Sequence, residues 1–169
     1  MYDIALLKLN SHIGITRSLN GRYYTVNSIC LPDSHSVNTD KELALFAGFG
    51  YIDEGVSNPG QLRTGWLKLL KTLNNNRHDL WGNQIQALRY PIGKGLAVCR
   101  GDSGGPLIQY VSGGSSDVVI DRAVLIGVAK GFLGQPLAGG CLSADPNTYM
   151  TFIRVSKKID WIIQTVLNN

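Results

Sequence analysis

Cys99-Arg100-Gly101-Asp102-Ser103-Gly104-Gly105-Pro106-Leu107 (CRGDSGGPL) is the stretch on which the reading of this chain turns. Glycines at 101, 104 and 105 with Pro106 dictate a tight loop, since glycine alone enters left-handed backbone without cost and proline ends regular structure. A serine held between glycines presents a reachable hydroxyl. The surrounding backbone N–H groups can face an oxygen that gains negative charge. A plain Gly/Ser-rich turn would read the same way, so the loop alone nominates Ser103 as a nucleophile and proves nothing more.

The order of the other polar residues narrows the choice. All three histidines, His12, His35 and His78, precede Ser103. That excludes the Ser…Asp…His order of a strand-to-helix nucleophile elbow. The order Asp…His…Ser is formally available, but none of these histidines sits in a Gly-rich setting that would position it. The order His…Asp…Ser fits with Asp3 as the acid, and its histidine then lies outside the sequence.

Working outward, the pattern is one of short strands. Asp3 to Leu9 (DIALLKL) reads as a buried or half-buried strand, Leu43 to Ile52 as a second, and Ala123 to Ala129 and Tyr149 to Val155 as further ones. A short apolar segment, Ser28 to Leu31, precedes Pro32. Gly65 to Leu73 is ambiguous, because Trp66, Leu69, Leu70 and Leu73 make a helical stripe and the pattern alone leans to helix. Asn74 to Leu80 reads as a polar loop, and Val111 to Ser116 as a solvated loop tip. One terminal helix is expected, with Ser156 as N-cap and Ile159, Ile162, Ile163 and Val166 on its apolar face. Twenty glycines against 17% charged residues agree with many strands joined by turns. The architecture expected is all-β, a barrel or sandwich closed by a helix.

With these segments in view, the chain resembles the chymotrypsin-like (trypsin-like) serine peptidases. Asp3-Ile4-Ala5-Leu6-Leu7-Lys8-Leu9 looks like the strand of that family's catalytic aspartate. Ile29-Cys30-Leu31-Pro32 resembles the connection between its two barrels, and Ala47-Gly48-Phe49-Gly50 stands where Gly-Trp-Gly is usual. Cys99 to Leu107 is similar to the nucleophile loop almost throughout. Gly127-Val128-Ala129 resembles the strand beside the substrate cleft, and Arg154-Val155-Ser156 with Ile159-Asp160-Trp161-Ile162 the approach to the C-terminal helix. These motifs follow in the family's order along the whole chain.

The resemblance implies a double antiparallel β-barrel with a C-terminal helix. Residues 1–38 would be the end of an incomplete first barrel and the connection, and 39–169 the second barrel and helix. Gly65 to Leu73 would then be a strand. It implies peptide-bond hydrolysis through an acyl-enzyme on Ser103, with the N–H groups of Gly101 and Ser103 as oxyanion hole. Asp3 would orient an imidazole, and Asp102 would pair with an N-terminus freed by zymogen cleavage. Cys99 and Cys141 match a disulfide that ties the nucleophile loop to the specificity pocket. Cys30 matches a cysteine that bridges to an upstream segment. A further family disulfide has lost both halves, its places taken by Ala44 and Gln109. The partners implied are protein or peptide substrates, the compartment is extracellular for the parent protein, and no metal or cofactor is called for.

Two departures limit the activity expected. The family's histidine stands in an Ala-Ala-His-Cys setting that none of the three histidines shares, so the chain by itself is expected to be inactive. A non-catalytic homologue acting as a binding module is the alternative. At the pocket base, where trypsin-like members keep an aspartate, stands Ala97, followed by Val98, which disfavours selection of Lys or Arg. Arg100 is expected at the pocket mouth, and Met150, if it points inward, would make the pocket shallow. Other classes are disfavoured. No apolar run approaches the roughly 18 residues of a membrane span. A net charge of +4 spread over scattered lysines gives no nucleic-acid patch.

Overall fold

The computed structural model describes residues 3–17, 24–33, 43–52, 60–70, 82–91, 94–113, 120–133, 141 and 149–168. Two short antiparallel strands come first, β1 Thr16–Arg17 and β2 Tyr24–Val26. Six longer strands follow: β3 Leu43–Gly48, β4 Arg63–Leu69, β5 Gln84–Arg89, β6 Pro106–Gly113, β7 Ile120–Leu133 and β8 Tyr149–Arg154. They close into one barrel in the order β3-β4-β5-β8-β7-β6, every pairing antiparallel. A 3-10 turn, Val155–Lys158, leads into the helix α1, Ile159–Leu167. The all-β expectation with a single C-terminal helix holds among the described residues.

β4 resolves the ambiguity at Gly65 to Leu73. Leu67 and Leu69 point into the barrel, while Trp66 is 44% exposed. The true period is two, and it hides from a sequence reading because Gly65, the next inward position, has no side chain. A Cβ at Gly65 would run into Leu96. The helical stripe therefore joined residues from opposite faces. Lys71 to Leu73 lie outside the described residues, as does the loop expected at Asn74 to Leu80.

The barrel interior is filled by Phe46, Leu67, Leu107, Ile126 and Phe152, all fully buried. Phe46 and Phe152 meet with ring centroids 6.0 Å apart at 59°, a tilted contact that suits the ring quadrupoles. Closure leaves no free sheet edge, so each strand's polar backbone finds partners on both sides. The two places that the resemblance assigns to a lost disulfide, Ala44 and Gln109, come together in the register. Leu45 faces Ile108 and Phe46 faces Leu107, so the same step sets Ala44 opposite Gln109. Gln109 is buried, and its Nε2 donates to the Leu43 carbonyl at 3.4 Å.

Several expectations need correction. Asp3 to Leu9 forms no strand: the segment has no regular structure, with Leu6, Leu7 and Leu9 exposed. An extended segment becomes a strand only when its N–H and C=O groups pair in a regular ladder with another backbone, and no such ladder is formed here among the described residues. Ser156 is not an N-cap. It lies buried in the 3-10 turn, and α1 starts only at Ile159, behind Lys158, with no side-chain cap. Ile159 and Ile162 of the expected helix face are buried against Val155, Leu125 and Val128, but Ile163 and Val166 are exposed. The loop tip expected at Val111 is still strand through Gly113, paired with Ile120, and Gly114 to Ser116 lie outside the described residues.

Candidate active site

The loop expected to carry the nucleophile is built from two successive turns that share Asp102. The Asp102 N–H donates to the Cys99 carbonyl at 3.0 Å, and the Gly105 N–H to the Asp102 carbonyl at 2.9 Å. The third residue of each turn is a glycine with positive φ, Gly101 at 90° and Gly104 at 87°. That is the value a type II turn requires at this place, and it is strained for any residue with a Cβ. Ser103 stands between them and is exposed. The loop is fastened to β7 at its far end, where the Gly104 N–H donates to the Ala129 carbonyl and the Ala129 N–H to Gly105, both at 2.9 Å.

Backbone direction in the first turn bears on the oxyanion site. The Arg100 carbonyl accepts from the Tyr51 N–H at 2.8 Å. A trans peptide is planar, with C=O and N–H on opposite sides, so the Gly101 N–H points away from Tyr51. Among the described residues, neither the Gly101 N–H nor the Ser103 N–H has a carbonyl partner. Two backbone donors of the loop are thus without a carbonyl partner among the described residues.

Asp102 is 6% exposed, and it anchors the loop from beneath. Its Oδ1 accepts from the Gly50 N–H and its Oδ2 from the Cys99 N–H, each at 2.8 Å. Glycine at 48 and 50 follows from this. A Cβ built on either residue would fall on the carboxylate. The Gly-x-Gly pattern is therefore a clearance for Asp102. The carboxylate is held by charge-assisted hydrogen bonds, each worth about twice a neutral one.

Ser103 lines two cavities. One, of about 390 Å³, is shared with Gly101, Asp102, Phe49 and Leu62. The other, of about 900 Å³, brings Ser103 together with Asp3, Leu7, Lys130 and Ile162. The sequence-expected acid and nucleophile therefore open on one space, although Asp3 is exposed and no hydrogen bond joins the two. Lys130 begins the stretch to Met150 that the resemblance makes the far wall of the pocket, and it lines this cavity. The one histidine among the described residues is His12, exposed in irregular chain; His35 and His78 lie outside them.

The pocket residues behave unevenly. Ala97, Val98 and Met150 are all buried, and Met150 Sδ accepts from the Val98 N–H at 3.4 Å. Met150 thus points at the segment expected to floor the pocket. Arg100 is exposed. The disulfide Cys99–Cys141 is present, with Cα atoms 5.4 Å apart, as the resemblance implied. Cys30 has a free, exposed thiol, and its backbone bridges β7: its N–H donates to Ala123 at 3.1 Å, and its carbonyl accepts from Leu125 at 2.9 Å. No cluster of His, Cys, Asp and Glu that could hold a metal occurs among the described residues.

A closed six-stranded antiparallel barrel, a glycine-turned serine loop over a buried aspartate and a C-terminal helix define the class. The trypsin family model matches residues 1–162, and the chain belongs to that family of serine proteases. Protein is the substrate class such a family implies. No helix among the described residues is long and apolar enough to cross a membrane.

Proposed function

We propose that the chain carries the nucleophile half of a serine endopeptidase site. Ser103 attacks the scissile carbonyl, and the N–H groups of Gly101 and Ser103 receive the oxyanion. Asp3 orients an imidazole by accepting its Nδ1–H, which sets the tautomer that can take the serine proton. Asp102 holds the loop in shape. The observation that carries the reading is the pair of type II turns with their free N–H groups beside an exposed Ser103.

None of the three histidines stands in the family's setting. Hydrolysis therefore needs an imidazole supplied from outside these residues, and the chain alone is catalytically silent. The parent protein would be secreted, with Cys30 disulfide-linked to an upstream segment. The substrate pocket is formed by Ala97, Val98, Arg100 and Met150. Met150 over Val98 makes it shallow and apolar, which favours a small uncharged side chain before the cut. A second reading, a non-catalytic homologue that binds protein without cleaving it, is favoured by the lack of a histidine among the described residues that line the cavities beside Ser103.

A fluorophosphonate probe separates the two. The natural protein, with its imidazole partner present, is expected to be labelled once per molecule, with loss in Ser103→Ala. Equal labelling of Ser103→Ala, or none of the wild type, would favour the binding module.

A further inference from the structure

Asp102 is the one buried carboxylate among the described residues. Two backbone N–H groups satisfy its oxygens, but peptide dipoles leave its net charge in place. A buried charge calls for a counter-charge. No cation lies within ion-pair distance of it among the described residues.

The ladder between β3 and β4 indicates where one comes from. Gly48 sits directly opposite Arg63. Residues facing each other across an antiparallel pair project to the same side of the sheet, with Cβ positions about 5 Å apart. On Gly48, that direction leads onto Asp102 Oδ1. Arg63 therefore sets out toward the Asp102 side from one strand further away, with a three-methylene stem to cross the gap. A cavity of about 10 Å³ is lined by both Arg63 and Asp102, together with Gly48, Gly50 and Tyr51. That is room for about one water. Arg63 is half-buried there. The same cavity wall includes Tyr51, whose N–H fixes the Arg100 carbonyl and so the direction of the Gly101 N–H.

We propose that the Arg63 guanidinium is the counter-ion of Asp102 across this solvent-sized gap, and that it is a positioning residue for the oxyanion turn. It fills from within the chain the role that the resemblance gives to a liberated N-terminus. The loop is then held in working shape without proteolytic activation. The functional consequence rests on the nucleophile reading of Ser103; the charge pair itself does not.

The test is a double-mutant cycle in the natural protein, isolated uncleaved, with Arg63→Met, Arg63→Lys, Asp102→Asn and the Arg63→Met/Asp102→Asn double variant. Two quantities are read: the unfolding equilibrium constant in denaturant, and the rate constant of fluorophosphonate capture at saturating probe. Between the small worth of exposed ion pairs and the large cost of breaking buried ones, Arg63→Met is expected to raise the unfolding constant about tenfold. It slows capture by a similar factor without changing the probe's half-saturating concentration. Arg63→Lys stays within about threefold of wild type on both, and in the Asp102→Asn background Arg63→Met adds nothing. Equal effects of Arg63→Met in both backgrounds would overturn the pair. Where Asp102→Asn does not fold, indistinguishable capture by Arg63→Met and Arg63→Lys overturns it. Coupling in the unfolding cycle without any wild-type capture would sink the nucleophile reading and leave the pair standing.

Discussion

The barrel and the stretch from Asp3 to Asp33 are made of similar material and end in different states. Both hold short apolar runs, DIALLKL in one and LALFAG in the other. In the barrel, Ala44 and Phe46 are fully buried, and each strand is paired on both sides. In the early stretch, Leu7 is 88% exposed, and the only strands described are two and three residues long. Hydrophobic sequence is the same invitation in both places; what differs is whether a second backbone answers it. The site inherits this division. Ser103 and the N–H groups proposed to receive the oxyanion stand on the loop that leads into the closed barrel, while Asp3 stands on the stretch that lacks such support.

The contrast is broken most severely from inside the barrel. Phe152→Ala removes a fully buried ring that packs on Phe46, and a loss of about 3–5 kcal/mol is expected in chemical denaturation. Phe46 also lies under the nucleophile loop, where a Cβ on Gly105 would meet its ring. Loss at this level means that core and loop share one cooperative unit. A cost under about 1 kcal/mol would mean that the barrel is not the packed core described here.

Replacing Cys99 and Cys141 by Ser comes next. The bond closes a sequence separation of 42 residues, and chain-entropy reasoning gives about 4 kcal/mol as an upper value, of which about 2–4 is expected. Reduction with dithiothreitol is expected to lower the denaturation midpoint of the wild type and leave that of the double serine variant unmoved. Equal midpoints for wild type with and without reductant would show that the bond contributes nothing in solution.

A third expectation concerns Gly50. Gly50→Ala puts a methyl onto the Asp102 carboxylate and breaks the N–H bond to Oδ1. Overpacking of this kind costs about 1–3 kcal/mol. Capture of fluorophosphonate at Ser103 is expected to fall along with stability, since Asp102 must move. Gly60→Ala, where no atom lies within 4 Å of the new Cβ, is the control; it carries only the backbone strain of its φ of 79°. Stability and capture unchanged in Gly50→Ala would mean that the loop does not rest on this carboxylate.

What could be read in advance follows the same line between loop chemistry and partner supply. The residues from Cys99 to Leu107 were legible because glycine and proline dictate backbone shape locally, and positive φ at Gly101 and Gly104 is where that shape shows. The place of Ala44 opposite Gln109 was legible as a joint loss at two positions. β4 was not, because Gly65 erased one inward position and Trp66 lent an outward one to a false stripe. The missing N-cap at Ser156 has a similar cause: the 3-10 turn carries Ser156 into the interior beside Val155 before the helix begins. Arg63 escaped notice altogether. Its meaning comes from facing Gly48 across a ladder, a relation that no spacing within β4 encodes.

The smallest effect is expected where the apolar sequence is most exposed. Leu7→Ser alters a side chain that already meets solvent over most of its surface, so the folded state loses little contact and the unfolded state changes almost as much. A shift within about 0.5 kcal/mol is expected in the same denaturation experiment. Val26→Ser, 40% exposed on β2, serves as a more covered comparison from the same region. A loss above about 1.5 kcal/mol for Leu7→Ser would show that this stretch is covered in solution by something beyond the described residues. The cavity shared by Asp3, Leu7 and Ser103 is where that cover would sit, and the aspartate would then be as firmly placed as the serine it faces.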